Sequence, residues 1–263
     1  MKIVAHCMVK NEEKWIWYSL MSVIDYVDEI LVWDTGSADN TVNIIKSIDS
    51  PKIKFKQVFV NNAADMTKYR NEMLSETKAD WLMVLDGDEI WPEKAIVESI
   101  NKLDNSLDFL VNKFWNLVGD VYHYQPESAG KYKIGKHIGH LTIRFVNLKK
   151  YKTLNYICDY PLEGLTANNK TLIQNDIDAK FQMVYSPYLH ATHLVRSKSN
   201  WNSPNHRNNQ KYELGIKIPD DFDYPRCFYF AGPTNPWKKR SWGYMLNAIW
   251  QTPLKLIKRR IFK

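Results

Sequence analysis

Up to about residue 107 the chain alternates short apolar runs with amphipathic stretches. Residues 2–9 read as a first strand, and residues 12–27 place Ile16, Leu20, Val23, Ile24 and Val27 at helical spacing. A second strand at 29–33 runs into Asp34-Thr-Gly-Ser37, and a helix follows from Asp39 through Ile44, Ile45 and Ile48 to Pro51. A third strand at 53–60, a helix at 65–77 and a fourth strand at 81–85 come next. Pro92 then suits the first turn of a helix that continues through Ile96, Val97, Ile100 and Leu103. Regular alternation of strand and helix predicts an α/β fold, a mostly parallel Rossmann-like sheet flanked by crossover helices.

After Leu107 the rhythm changes. Residues 108–118 and 141–148 predict strands with no helix between them, 122–139 read as a polar loop, and 200–226 are polar with Pro204, Pro219 and Pro225. Near the end, Trp242, Met245, Leu246 and Ile249 fall at i, i+3, i+4, i+7; Pro253 interrupts; Leu254, Ile257 and Ile261 resume at i, i+3, i+7. Three parts are expected: residues 1–107 and 108–236 as two halves of one domain, and 237–263 as a helical basic extension. The stripe before Pro253 predicts a helix packed on the body. The one after it, set among Lys255, Lys258, Arg259, Arg260 and Lys263, predicts peripheral contact with an anionic membrane.

Charge sharpens this division. Of the net +7, the segment 237–263 carries eight basic and no acidic residues, leaving 28 basic and 29 acidic side chains elsewhere. The body therefore has no electrostatic case for nucleic acid. Cys7, Cys158 and Cys227 are odd in number and far apart, which argues against a disulfide or zinc framework and for a reducing, cytoplasmic setting. The first residues read as a strand and not as a signal peptide, and no apolar run approaches a membrane span. The sequon at Asn169 then means little.

Chemistry concentrates in Trp81-Leu-Met-Val-Leu-Asp-Gly-Asp-Glu89. An apolar run that ends in three carboxylates places oxygen ligands at the carboxyl edge of a sheet, where open α/β sheets bind ligands. Crowded carboxylates repel unless a cation lies between them. Mn²⁺ and Mg²⁺ favour such oxygens and share their shell with substrate phosphates.

Four motifs stand in order: Met8-Val-Lys-Asn-Glu-Glu13, Asp28 to Ser37 with Asp39-Asn-Thr41, Arg70-Asn71, and Asp80 to Glu89. In these the first hundred residues resemble family 2 glycosyltransferases, inverting enzymes of the glycosyltransferase-A fold, in particular a bacterial subgroup that builds lipopolysaccharide core and other surface glycans. The resemblance implies a nucleotide-sugar donor, most simply a UDP-sugar, held by Val9, Lys10, Asn11, Glu12, Asp34, Arg70, Asn71, Asp86, Gly87 and Arg196. Asp34 has an alternative as a turn cap beside Gly36 and Ser37. It further implies a metal, Mn²⁺ or Mg²⁺, on Asp88, Asp86 and a late histidine, His193 before His190. Arg196, His206, Arg207 and Lys211 are candidates to neutralise a diphosphate. An inverting reaction needs a base. Relatives carry a Glu after a strand that follows an Arg-Leu-Phe-like motif, matched here loosely by Ile143-Arg-Phe-Val146 and then by Tyr160-Pro-Leu-Glu163. Glu163 is the expected base and Asp159 the runner-up. The acceptor is expected to be a carbohydrate or lipid-linked glycan, reached from the cytoplasm or the inner face of the membrane.

Two other patterns point elsewhere. Gly130-Lys-Tyr-Lys-Ile-Gly-Lys-His137 nearly matches a phosphate-binding loop but lacks the Ser or Thr for Mg²⁺ and follows no buried strand. His137-Ile-Gly-His140 with Arg196-Ser-Lys-Ser199 resembles the paired signature of nucleotidyl-transferring synthetases, so nucleotidyl transfer stands as an alternative, beside nucleotide-sugar binding without turnover.

Overall fold

The apolar runs become the strands of one central sheet. The computed structural model describes residues 1–151, 153–167, 172–197 and 211–261; Asn169, Lys198, Ser199, His206, Arg207 and Lys263 lie outside them. In chain order the elements are β1 (Ile3–Val9), α1 (Ile16–Val23), β2 (Glu29–Asp34), α2 (Thr41–Lys46), β3 (Ile53–Gln57), α3 (Ala63–Glu76), β4 (Trp81–Val84), β5 (Glu89–Ile90), α4 (Glu93–Asn101) and β6 (Phe109–Asn116). Then follow β7 (His123–Tyr124), β8 (Tyr132–Ile134), β9 (His137–Gly139), β10 (Leu141–Asn147), β11 (Leu154–Ile157), β12 (Gly164–Ala167), β13 (Phe181–His190), β14 (Ile216–Lys217) and α5 (Trp242–Ile261).

The sheet has eight strands in the order β3-β2-β1-β4-β10-β6-β13-β5. Its first half, β3-β2-β1-β4, is parallel. β1 and β4 are buried along their whole length, as strands covered on both faces must be. In the second half β10 is antiparallel to β4 and β6, β13 is parallel to β6, and β5 is antiparallel to β13. This is the predicted α/β class, with the antiparallel members added where the strand–helix rhythm stops.

Several boundaries differ from the sequence expectation for local reasons. The helix expected over 12–27 starts at Ile16, because Asn11 has φ +54 and the Glu12 carbonyl accepts from the amides of Trp15 and Ile16 in a tight turn. The loop expected at 122–139 contains β7 and the hairpin β8–β9. β13 and the hairpin β11–β12 have no counterpart in the sequence reading. The two C-terminal stripes form one helix, α5, with Pro253 inside it.

The main core cluster lies between the sheet and α1, α2 and α4. Trp91 stacks on Tyr188 at 4.6 Å between centroids and meets Phe145 edge-on at 5.9 Å. These rings fix β13 and β10 against the turn that follows β4.

Candidate active site

β1 and β4 lie side by side with His6 opposite Val84, so residues 9–12 and 85–88 leave the sheet at the same edge. Asn11 ties two loops together: its Oδ1 accepts from the Ala38 amide at 2.8 Å, and its own amide donates to Ser37 Oγ at 2.9 Å. Val9 contributes its carbonyl, which accepts from the Thr35 amide and hydroxyl. Asp34 is wholly buried, and its carboxylate accepts from the amides of Gly36 (3.1 Å) and Ser37 (3.0 Å). Of the two sequence readings of Asp34, the turn cap is the one its contacts display. Lys10 is half-buried in the same loop.

The acidic turn follows β4. Gly87 is buried against β1: a Cβ there would come within 3.0 Å of Val9 Cγ2 and 3.3 Å of Glu12 Cγ. That close approach sets Asp86 and Asp88 over the Glu12 loop. β5 then pairs with β13 so that Glu89 lies opposite His190, and the Ala191 amide donates to the Asp88 carbonyl at 2.8 Å.

Two arginines enter this acidic cluster. Arg144 donates to Asp86 Oδ2 at 2.8 Å, to Glu89 Oε1 and, through Nε, to the Tyr188 hydroxyl oxygen at 3.2 Å. It reaches them from a bulge in β10 between Ile143 and Phe145, which re-aims one side chain of an otherwise regular strand. Arg196 Nη1 bonds Glu12 Oε1 at 2.6 Å and lies 3.5 Å from Asp88 Oδ2. Burial pushes the Asp86 carboxyl upward, but the Arg144 and Arg70 guanidiniums outweigh it and hold Asp86 below the usual carboxylate range. Glu89 is fully buried, and that burial drives its carboxyl up to about 7 against the pull of Arg144. Glu12 is likewise raised by burial, with Arg196 pulling the other way.

Three ligand atoms of Asp86, Glu89 and His190 all lie within 4.8 Å of one another. His190 Nε2 is also 3.5 Å from Asp88 Oδ1. His193, preferred from sequence, is not in this set, because β13 delivers residue 190 to the cluster and the turn after it carries residue 193 past. His193 is buried, and burial followed by the charge of Lys211 holds its pKa down at about 3. Its Nε2 has no hydrogen-bond partner among the described residues. With His190, Asp86 and Arg144 it lines an open cavity of about 590 Å³.

A second cavity, of about 320 Å³, shares Asp86 and Arg144 and is lined by Arg70, Tyr156, Tyr160 and Glu163. Arg70 Nε lies 3.3 Å from Glu163 Oε1, both side chains nearly buried. The neighbouring Asn71 instead exchanges two hydrogen bonds with the Tyr156 backbone, at 2.7 and 2.9 Å, and so pins β11 to α3. Asp159 is exposed and does not line either cavity. Sequence reasoning gave Arg144 and Tyr188 no role. A charged residue inside the apolar strand Leu141-Thr-Ile-Arg-Phe-Val was the available signal, since a buried arginine needs acidic partners.

Residues 7–159 match the family model for glycosyl transferase family 2. The chain belongs to that family. As a family 2 glycosyltransferase it is 35% identical over 106 residues to a TPR repeat-containing protein of Synechococcus elongatus, covering 40% of this chain and 24% of that protein. It is 34% identical over 92 residues to the prophage-derived glycosyltransferase SunS of Bacillus subtilis, covering 35% of this chain and 21% of SunS. The matches thus span about a quarter or less of these curated relatives' lengths. Among solved structures the family 2 chain is similar in fold to residues 1–349 of S. aureus TarS, with a TM-score of 0.51 and 16% identity over 73% of this chain and 61% of that one.

Proposed function

We propose that the chain transfers a sugar, with inversion, from a nucleoside-diphosphate sugar to a hydroxyl of a carbohydrate or lipid-linked acceptor in the synthesis of a cell-surface glycan. A UDP-sugar is the simplest donor, and the setting is the cytoplasm or the inner face of a membrane. The observation that carries this reading is the convergence of Asp86, Asp88, Glu89, His190, Arg144 and Arg196 at the carboxyl edge of the sheet in a chain of this family. The naming of SunS as a glycosyltransferase supports it. Among the described residues no helix is long and apolar enough to cross a membrane.

The donor set fits Mn²⁺ or Mg²⁺, since carboxylate oxygens with one imidazole nitrogen within 4.8 Å match the ligands these ions accept. Asp86, Glu89 and His190 would hold the ion, with Asp88 as a further carboxylate 3.5 Å from His190 Nε2, and the ion when bound would neutralise the departing diphosphate. Arg196 adds fixed positive charge on the same side, and Arg144 offsets Asp86 and Glu89 so that the cluster is not a bare negative pocket. Glu163 is the proposed base. Its Oε1 is held by Arg70, and its buried Oε2 has no partner among the described residues and lines the cavity shared with Asp86. The acceptor oxygen bonds to the anomeric carbon as the anomeric carbon–phosphate oxygen bond breaks. The diphosphate leaves with the electron pair, and the acceptor proton passes to Glu163.

The test is a thermal-shift panel of nucleotides and nucleotide sugars with and without Mn²⁺, followed by nucleoside-diphosphate release from any donor that stabilises the chain. A ligand that binds only the native state raises its apparent stability. A donor that stabilises the chain yet is never turned over with any acceptor would reduce the reading to binding. ATP–pyrophosphate exchange would replace it with nucleotidyl transfer.

A further inference from the structure

α5 is amphipathic the wrong way round for a helix packed on a core. Apart from Tyr244, whose ring packs on Gly119 and Tyr212, and buried Ala248, its contacts with the body are polar. The Tyr244 hydroxyl donates to the Lys211 carbonyl at 2.8 Å, Thr252 Oγ1 accepts from the Leu214 amide at 2.9 Å, and Lys255 Nζ reaches the Tyr212 carbonyl at 2.8 Å. Arg259 forms a two-pronged bond to buried Glu213 at 2.5 and 2.9 Å. The opposite face is apolar and turned to solvent: Trp242 is 86% exposed, Trp250 80% and Leu254 66%, with Leu246, Ile249 and Ile257 exposed along the same stripe. The sequence expectation that the part before Pro253 packs on the body is thereby corrected. Only Tyr244 and Ala248 of the helix are buried, and the stripe runs unbroken across Pro253.

An exposed stripe of this length needs a covering. Charge selects it. Lys258 and Arg260 are exposed beside the stripe, and no acidic residue occurs from Trp237 to Lys263. A second copy of the same face would bring like charges together, whereas an anionic bilayer offers apolar depth and opposite charge at once. At the foot of α5 an open cavity of about 410 Å³ adds a place for a headgroup. Lys217, Lys239 and Arg240 line it and Trp242 and Met245 form its apolar lip; Lys217 is paired with Asp220 at 2.5 Å and Arg240 lies 3.9 Å from Asp120, while Lys239 sits over the Tyr122 ring.

We propose that α5 lies in the plane of an anionic membrane along its whole length, apolar face down, with a lipid phosphate seated in the cavity beside Lys239. A helix of 20 residues gives a footing roughly 30 Å long. This deepens the proposed function and rests for its purpose on the membrane-proximal acceptor. Vesicle binding is measured without donor or acceptor, so each reading can fail alone.

The experiment is co-sedimentation of the full chain with vesicles of phosphatidylcholine, alone or with phosphatidylglycerol. The expected result is binding that depends on phosphatidylglycerol, weakens with added salt, falls at least tenfold in the double variant Leu246→Glu/Trp250→Glu, and falls severalfold in Lys239→Ala. Both substitutions on the stripe are at solvent-facing positions, and thermal melts check that the variants fold. For the wild type, vesicles with brominated acyl chains should quench part of the tryptophan emission, which needs no variant. Equal binding by the stripe variant, absence of quenching, or a dimer in lipid-free solution that the same variant dissociates would each overturn the proposal.

Discussion

Glu163→Gln separates a catalytic base from a mere partner for Arg70. The two side chains are 10% and 12% exposed with Oε1 and Nε 3.3 Å apart, so they form a nearly buried pair. Deleting one member of such a pair outright costs about 3–5 kcal/mol. The amide keeps the shape and one acceptor oxygen, and Arg70 still feels the Asp86 charge, so the expected stability loss is about 1–3 kcal/mol. A domain with about 5–15 kcal/mol in hand remains folded. The rate should fall by more than that loss implies, by about 10²–10⁴-fold, because the acceptor proton has lost its destination. That corresponds to about 3–5 kcal/mol on the barrier. The assay is steady-state release of nucleoside diphosphate at saturating donor, with donor affinity followed separately, across a pH series. Donor affinity should hold in the variant while the rate falls.

A double-mutant cycle with Arg70→Met decides the case. If Glu163 only neutralises Arg70, removing both restores much of the rate. If Glu163 takes the proton, the double variant stays at the floor. A rate for Glu163→Gln within threefold of wild type, or recovery in the double variant, would refute the assignment, while exposed Asp159→Asn is expected to be close to neutral.

Asp88→Asn should leave the melting temperature nearly unchanged and lower turnover by about 10²-fold or more, the several kcal/mol a bound cation supplies; near wild-type turnover with Mn²⁺ present would remove the metal site. Chelation should likewise abolish the donor-induced thermal shift, and a shift that persists in chelator would mean that the donor binds without an ion. His6 supplies a pH prediction. It is buried in β1, its Nε2 is 2.6 Å from Thr77 Oγ1, and that hydroxyl donates to the Met73 carbonyl, so Nε2 carries the proton. Burial and then the Arg70 charge lower its pKa from 6.5 to about 3. Its folded pKa is below its unfolded one, so its contribution is present above about 6.5 and is lost as pH falls. Urea midpoints from pH 7 to pH 5 should show wild type losing about 2 kcal/mol more than His6→Gln; equal losses would contradict it.

The parallel half of the sheet was legible because its signals are local. β4 is an unbroken apolar run, β1 is interrupted only by His6, β2 is apolar from Ile30 to Trp33, and each ends in the loop residues that line the site. The acidic turn was legible for the same reason, since Asp86, Asp88 and Glu89 are three neighbours in sequence. Arg144, Tyr188 and the choice of His190 over His193 were not, because they depend on pairings between distant strands. A bulge in β10 and a register of β13 against a two-residue strand decide which side chain faces the carboxylates, and no short window of sequence contains either. Asp34 and Asn71 show a different limit. Their positions in the motifs were plain, yet backbone amides and carbonyls take up their side chains, and a polar group beside an unsatisfied backbone bonds there first.

α5 marks the limit of periodicity as evidence. Helical spacing of Trp242, Leu246, Ile249, Leu254 and Ile257 says that an apolar face exists, but it is silent on which way that face turns. The convention that it turns inward rests on the energy of burying it, about 25 cal/mol for each Å² removed from water. Here the inward places are already held by hydrogen bonds and by the Arg259–Glu213 pair, for which Glu213, only 1% exposed, has no other cation as close among the described residues. Rotating the helix to bury its stripe would strand that carboxylate in a dry setting, a penalty of several kcal/mol. The polar anchor therefore fixes the rotation, and the apolar face is left for a partner outside the chain. Glu213→Gln tests this directly. Weakening the anchor should free α5 to turn inward and lower vesicle binding while the body stays folded, whereas unchanged vesicle binding would show that something other than the ion pair sets the helix's orientation.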